Sequence, residues 1–309
     1  MPRRLFLHVG LPKTGSTSMQ KWFLDNRTAL AAQGLCYPID PPLHNYKQGY
    51  TVLALKVGDM APLRAALDQA GASDVLLSNE GLSNHFLDFP AEALAAFRTL
   101  TADIAEALAA FRTLTADIAV IVIGFHRDPD RWLRSYHRQA VLNPRNNASE
   151  LWGTSQDLAQ IRAHYRIKRL LDHDRLAKDM AQGVGADAVH MLNFDDPAAF
   201  TRMLGVMDVP DLSDIPLPRI NETLPDWAIT MMQRINAQEP DNPARQAWKG
   251  VLYHYLKSNH TVLRDDANRM GADALALINP ALLDEMPTEI PHQDIRHFLN
   301  NQLPAIVRT

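Results

Sequence analysis

Four short apolar runs punctuate the chain at residues 5–9, 75–77, 119–123 and 188–192. Each is separated from the next by at least one longer stretch with helical spacing of its apolar positions. Continuous runs of this length predict strands buried on both faces. Their alternation with helices predicts an α/β fold of three layers, with a central, mostly parallel β-sheet flanked by helices. Helices are expected over 18–30 and 197–204, and from about residue 224 onward the pattern is mainly helical. Asp128 followed by Pro129 marks a further helix start, because the aspartate can cap and proline suits the first turn. Residues 143–156, rich in Asn, Ser and Gly, and residues 209–225, with four prolines, lack either period. They are either surface connections or covers for a ligand. The expectation is one domain over 1–309, with a core at about 1–225 and a helical C-terminal extension at about 226–309.

Residues 91–104 read AEALAAFRTLTADI, and residues 105–118 repeat all fourteen identically. One perfect tandem copy is a duplication, not a solenoid, which needs several diverged units. If both copies are helical, the second adds about 21 Å and falls about 40° short of four turns, so one apolar face stays nearly aligned. The alternative is that one copy packs while the other loops out. Thr99, Thr101 and Asp103 are mediocre helix-interior residues and weigh against a single unbroken helix. In either case the duplication precedes the 119–123 strand and carries no catalytic role.

The chain has 309 residues, 46% of them hydrophobic and 21% charged, enough for one sizeable core. The formal net charge of −4 gives no global attraction for nucleic acid or an anionic membrane, so neither partner is expected. Cys36 is the only cysteine, which excludes an internal disulfide framework. No apolar run approaches the ~18 residues of a membrane span, and 5–9 is too short for a signal-peptide core. Stable membrane insertion is therefore not expected, and a cytoplasmic protein is.

The run 5–9 leads into Gly10, Leu11, Pro12, Lys13, Thr14, Gly15, Ser16 and Thr17, with a helix after it. Strand, glycine loop and helix start form an anion cradle: backbone N–H groups converge and the helix dipole favours negative charge. The spacing is P-loop-like, but a triphosphate P-loop carries Gly-Lys-Ser/Thr at its end. Here Ser16 follows Gly15 directly, and the only loop lysine, Lys13, stands two positions earlier. A lysine so shifted lies near the first phosphate and whatever is attached to it.

The stretch Pro12 to Thr17 resembles the 5′-phosphosulfate loop of the sulfotransferase superfamily, whose donor is 3′-phosphoadenosine 5′-phosphosulfate (PAPS). A second element strengthens the likeness. After the 119–123 strand come Arg127 and, eight residues later, Ser135. In that superfamily an arginine and a serine at this spacing bind the donor's 3′-phosphate. Between Arg127 and Arg145 five arginines face two aspartates, and guanidinium offers phosphate bidentate donors. Arg131, Arg134 and Arg138 individually read as surface or salt-bridge residues. The segment 188–196 also looks like a later core strand and loop of bacterial members.

The run 75–77 ends in Ser78, Asn79 and Glu80. Reacting groups of open α/β sheets gather beyond the carboxyl ends of strands. The resemblance, closest to bacterial glycan-type members, implies Glu80 as general base, and partial burial there would raise its pKa. His85 is the main rival base, with His8 and His126 also near expected strand ends. The expected activity is sulfuryl transfer to a hydroxyl or amine acceptor, a carbohydrate or glycolipid, with Lys13 assisting the leaving group. Donor contacts would come from Lys13, Thr14, Gly15, Ser16, Thr17, Arg127 and Ser135. The scheme needs no metal, and no metal-ligand spacing is evident. Two alternatives stay open: a magnesium-dependent phosphotransferase of the P-loop class, and a non-catalytic nucleotide-binding protein.

Overall fold

The computed structural model describes residues 3–43, 46–112, 118–145, 149–218, 224–238, 241–259 and 276–304. By its internal contacts the chain divides into two compact units. One comprises 1–132 and 165–218, the other 133–164 and 219–309. The sequence reads as one domain with a core at about 1–225 and a helical C-terminal extension. In the structure residues 133–164 group with the C-terminal residues.

The first unit carries five parallel strands: β1 (Arg4–His8), β2 (Leu35–Cys36), β3 (Asp74–Ser78), β4 (Ala119–His126) and β5 (Ala188–Asn193). Their order is β2-β3-β1-β4-β5, so β1 is central, with Phe6 opposite Leu76 on one side and Ile121 on the other. Alternate residues serve opposite faces. Phe6, Leu76, Ile123 and Phe125 pack with Met19, Trp22 and Phe23 of helix α1 (Ser16–Asp25) and with Met203 and Leu204 from residues 199–206. Leu7, Leu77 and Val122 face Leu55, Leu63, Phe97 and Met180 on the other side. The gap left among those side chains is about 20 Å³ and almost wholly apolar, at most one water's space. It is a packing defect, not a ligand site.

The expected helix over 18–30 begins at Ser16 and breaks at Asn26. There the backbone N–H and the side-chain Nδ2 both donate to Trp22 O, at 3.0 and 2.9 Å, and α2 (Arg27–Ala32) restarts the helix. An asparagine that bonds its own backbone competes with the helical ladder. Connections to the other strands run through α3 (Gly49–Val57), α4 (Ala61–Gln69), the single turn α5 (Gly81–Asn84) and α6 (Ala91–Arg112). Helix α6 passes unbroken through the junction of the two copies at 104/105, and residues 113–117 lie outside the described residues.

Helix α7 (Pro129–Leu142) starts where Asp128 predicts, the aspartate Oδ1 accepting from Arg131 N at 2.9 Å. The unit boundary falls within it, after Trp132. The described residues of the second unit from 224 onward are mainly helical, as the sequence predicts, and the unit's core includes Met231, Ile235, Trp248, Leu252, Leu283 and Phe298. Buried Asn236 donates to Val141 O and Thr154 O, both at 2.9 Å, anchoring the 143–156 connection from inside. Among the described residues no helix is long and apolar enough to cross a membrane.

Candidate functional site

The first-unit candidates lie at or beyond the carboxyl ends of β1, β3 and β4, where reacting groups of open α/β sheets gather. The loop after β1 is fixed from several sides. Val9 N and Leu11 N donate to Ile123 O and Phe125 O at 2.9 and 3.3 Å. The indole Nε1 of fully buried Trp132 donates to Pro12 O at 2.7 Å, and Ser83 Oγ to Gly10 O at 2.5 Å. Thr14 Oγ1 closes the turn onto Leu11 O at 2.6 Å.

Lys13 and Gly15 both adopt left-handed backbone, at φ 68° and 74°. Gly15 is the N-cap of α1, which has no side-chain cap and no acidic residue in its first turn. Its N-terminal N–H groups therefore remain available to an anion. Two further atoms point the same way: Ser16 Oγ and His8 Nε2 are buried without a hydrogen-bond partner. A Cβ on Gly10 would come within 3.0 Å of the first and 3.2 Å of the second, so the absence of a side chain at Gly10 keeps that space open. Thr17, the second residue of α1, completes the predicted loop.

Glu80 follows β3 and is largely buried. Its Oε2 accepts from Gln20 Nε2 at 3.0 Å, and its Oε1 is paired with Lys47 Nζ. The expected rise in pKa is reversed. Burial pushes the carboxyl up, but the Lys47 charge and the hydrogen bonds from Lys47 and Gln20 outweigh it and hold it below the usual glutamate value. His8, beneath the loop, pairs through Nδ1 with Ser78 Oγ at 2.7 Å, and burial pushes it down to about 4 despite the Glu80 charge.

Arg127 stands directly after β4. Its Nη2 donates to Asp195 Oδ1 at 3.0 Å, while Asp128 N donates to Asp195 Oδ2 at 3.2 Å. The guanidinium lies 5.6 Å from the centroid of the Phe194 ring, and its Nε is buried without a partner. The same ring abuts the loop, since a Cβ on Gly15 would stand 2.5 Å from Phe194 Cε2. Phe194 thus touches both anion-binding candidates, a link no local sequence signal could show. Ser135 lies on α7 in the second unit.

The rival histidines are otherwise engaged. His85 Nδ1 pairs with Asp88 Oδ2 at 2.9 Å, and Asp88 accepts from Arg166 at 3.0 and 3.1 Å. His126 stacks on His173, with centroids 5.1 Å apart. As expected for ion-pair residues, Arg131 approaches Asp195 at 3.8 Å and Arg138 pairs with Asp226. Sequence reading missed Lys47, Gln20, Asp195 and Trp132, whose partners lie 33 to 120 positions away. Among the described residues no group of three or more His, Cys, Asp or Glu side chains could hold a metal ion.

Compared with protein families, with curated proteins and with solved structures, the chain matches none.

Proposed function

We propose that the protein transfers a sulfuryl group from PAPS to a hydroxyl or amine acceptor. The observation that carries this reading is the meeting, at the carboxyl ends of the strands, of an anion loop with unpartnered buried polar atoms, a carboxylate after β3 and an arginine after β4. The residues fit a donor with two phosphates. Ser16 Oγ, the α1 N–H groups and Lys13 suit the 5′ end, and Arg127, with its unpartnered Nε, suits the 3′-phosphate. The sequence resemblance adds Ser135 as a further ligand of that phosphate.

The donor supplies a phosphosulfate anhydride whose sulfur–oxygen bond breaks during transfer. Lys13 and the N–H groups of residues 14–17 neutralise charge growing on the departing 5′-phosphate, so fixed electrostatics and positioning do most of the catalysis. Glu80 accepts the proton of the attacking hydroxyl or amine. Because Lys47 depresses its pKa, Glu80 is already ionised at neutral pH, a weaker base than a raised carboxyl but one that need not first lose a proton. The resemblance favours a carbohydrate or glycolipid acceptor.

The test has two arms. Calorimetry with 3′-phosphoadenosine 5′-phosphate (PAP) should show binding that Arg127→Ala weakens. Transfer of radiolabelled sulfate to a panel of glycans should collapse in Lys13→Ala and in Glu80→Gln, the latter still binding PAP. Strict dependence on magnesium would point instead to a phosphotransferase, and PAP binding with no transfer to any acceptor would point to a non-catalytic protein. If Glu80→Gln stays active, His85 becomes the leading base.

A further inference from the structure

Glu80 receives one partner on each oxygen, from segments distant in sequence. Gln20, on α1 one turn after the anion loop, donates to Oε2 at 3.0 Å, and Lys47, just ahead of α3, donates to Oε1. We propose, resting on the reading of Glu80 as base, that Lys47 is a positioning residue for the Glu80 carboxylate, acting with Gln20 to fix both of its oxygens.

The plain alternative is a surface ion pair, since Lys47 is about one-third exposed, and such pairs contribute little. Its surroundings argue otherwise. Tyr46 holds left-handed backbone at φ 66°, unusual for an aromatic residue, and its carbonyl accepts from Tyr37 Oη at 3.1 Å. Gln48 is fully buried and clamped to β3: its Oε1 accepts from Ser78 N at 2.5 Å, and its Nε2 donates to Pro38 O at 3.0 Å. Lys47 is therefore held between two immobilised neighbours at the end of β3, where a surface lysine needs no such anchoring. Gln20 is also fully buried, and its Oε1 has no hydrogen-bond partner, a penalty an apolar residue would avoid.

The other titratable groups whose charge reaches Glu80 do not compete. His8 on β1 is kept neutral by burial, and burial pushes the Tyr37 hydroxyl up, so it too is neutral. Among the described residues, Lys47 is left as the cation governing the carboxylate.

The experiment uses the full chain and PAPS with water as acceptor. A water oxygen attacks sulfur, and the sulfur–oxygen bond to the 5′-phosphate breaks with its electron pair left on the phosphate. The water proton passes to Glu80, and sulfate and PAP are released. Release of labelled sulfate is followed from pH 5 to 8 in wild type, Lys47→Met, Lys47→Arg and Gln20→Leu, with PAP affinity measured alongside.

In Lys47→Met burial of Glu80 is opposed only by hydrogen bonds, Gln20's among them, and no longer by a cation, so the acidic limb moves up and the rate at pH 5 relative to pH 8 falls about tenfold against wild type. Lys47→Arg restores the limb, and Gln20→Leu lowers the rate across the range. PAP affinity is unchanged in all. A limb that stays in place in Lys47→Met, while Glu80→Gln abolishes turnover, overturns the role of Lys47 and leaves the base standing. Turnover by Glu80→Gln overturns both. Should turnover be too slow to follow, the carboxyl ¹³C resonance of Glu80, assigned through Glu80→Gln, carries the test. Its titration midpoint must rise in Lys47→Met and return in Lys47→Arg, and an unmoved midpoint refutes the proposal.

Discussion

Replacing Gly15 by alanine tests the loop more directly than any change to a charged residue. Two penalties are readable from the structure. The backbone stands at φ 74°, where an L-residue is disfavoured by about 1–2 kcal/mol. The added Cβ would also lie 2.5 and 2.8 Å from Phe194 Cε2 and Cζ, so the ring must move, at the ~1–3 kcal/mol typical of overpacking. The sum is about 2–5 kcal/mol, a large share of the ~5–15 kcal/mol that stabilises a typical domain. Urea unfolding of wild type, Gly15→Ala, Phe194→Ala and the double variant separates the two terms. Phe194→Ala removes the clash but not the backbone cost, so the coupling energy should be about 1–3 kcal/mol in favour of the double variant. A Gly15→Ala loss below ~1 kcal/mol, or additivity of the two changes, would refute the close approach of loop and ring. Phe194 also lies against Arg127, so Gly15→Ala should weaken PAP binding beyond any effect on the loop alone.

The Asp128 cap offers a smaller effect: Asp128→Ala should lower stability by about 1 kcal/mol, read as a fall in Tm, and no change would remove its capping role. His8 gives a pH signature. Its folded value near 4 lies below the ordinary value of about 6.5, so between them the unfolded chain binds the extra proton and stability rises with pH. Acidification through that window should remove on the order of 3 kcal/mol, and His8→Asn, which cannot titrate, should flatten the slope of unfolding free energy against pH. An unchanged slope would mean that His8 is not the group responsible.

Most of the sheet was legible because β1, β3 and β4 are largely buried and so appear as unbroken apolar runs. β2 was not, since Leu35 and Cys36 are too few to show a period. The break at Asn26 depends on a side chain turning back on its own helix, which apolar spacing does not register. At the site, residues that stand at strand ends were found from the sequence: the loop, Glu80 and Arg127. What fixes their electrostatics was not. The sign of the Glu80 shift depends on Lys47, in a stretch without period, and Arg127 is oriented by Asp195 68 positions away. Burial alone predicted a raised carboxyl; the partner reversed it.

The duplicated segment lies in the connection between Glu80 and Arg127, yet it should leave both in place, because β3 and β4 are each registered on β1 and not on the chain that joins them. In the first copy Ala93, Phe97 and Leu100 are buried and Arg98 donates to Gly183 O at 2.6 Å, so that copy is packed in place. The second copy ends in Ile118, buried immediately ahead of β4. Deleting 105–118 sets Ile104 before Ala119 and restores the same Ile-Ala step. The connection from Leu100 to Ala119 shortens from 18 intervening residues to 4, which span up to about 17 Å when extended. The deletion variant should therefore fold cooperatively and bind PAP as wild type does. An unfolded product would show that the packed face of α6 and the entry to β4 lie farther apart than four residues reach, making the second copy an integral part of the fold.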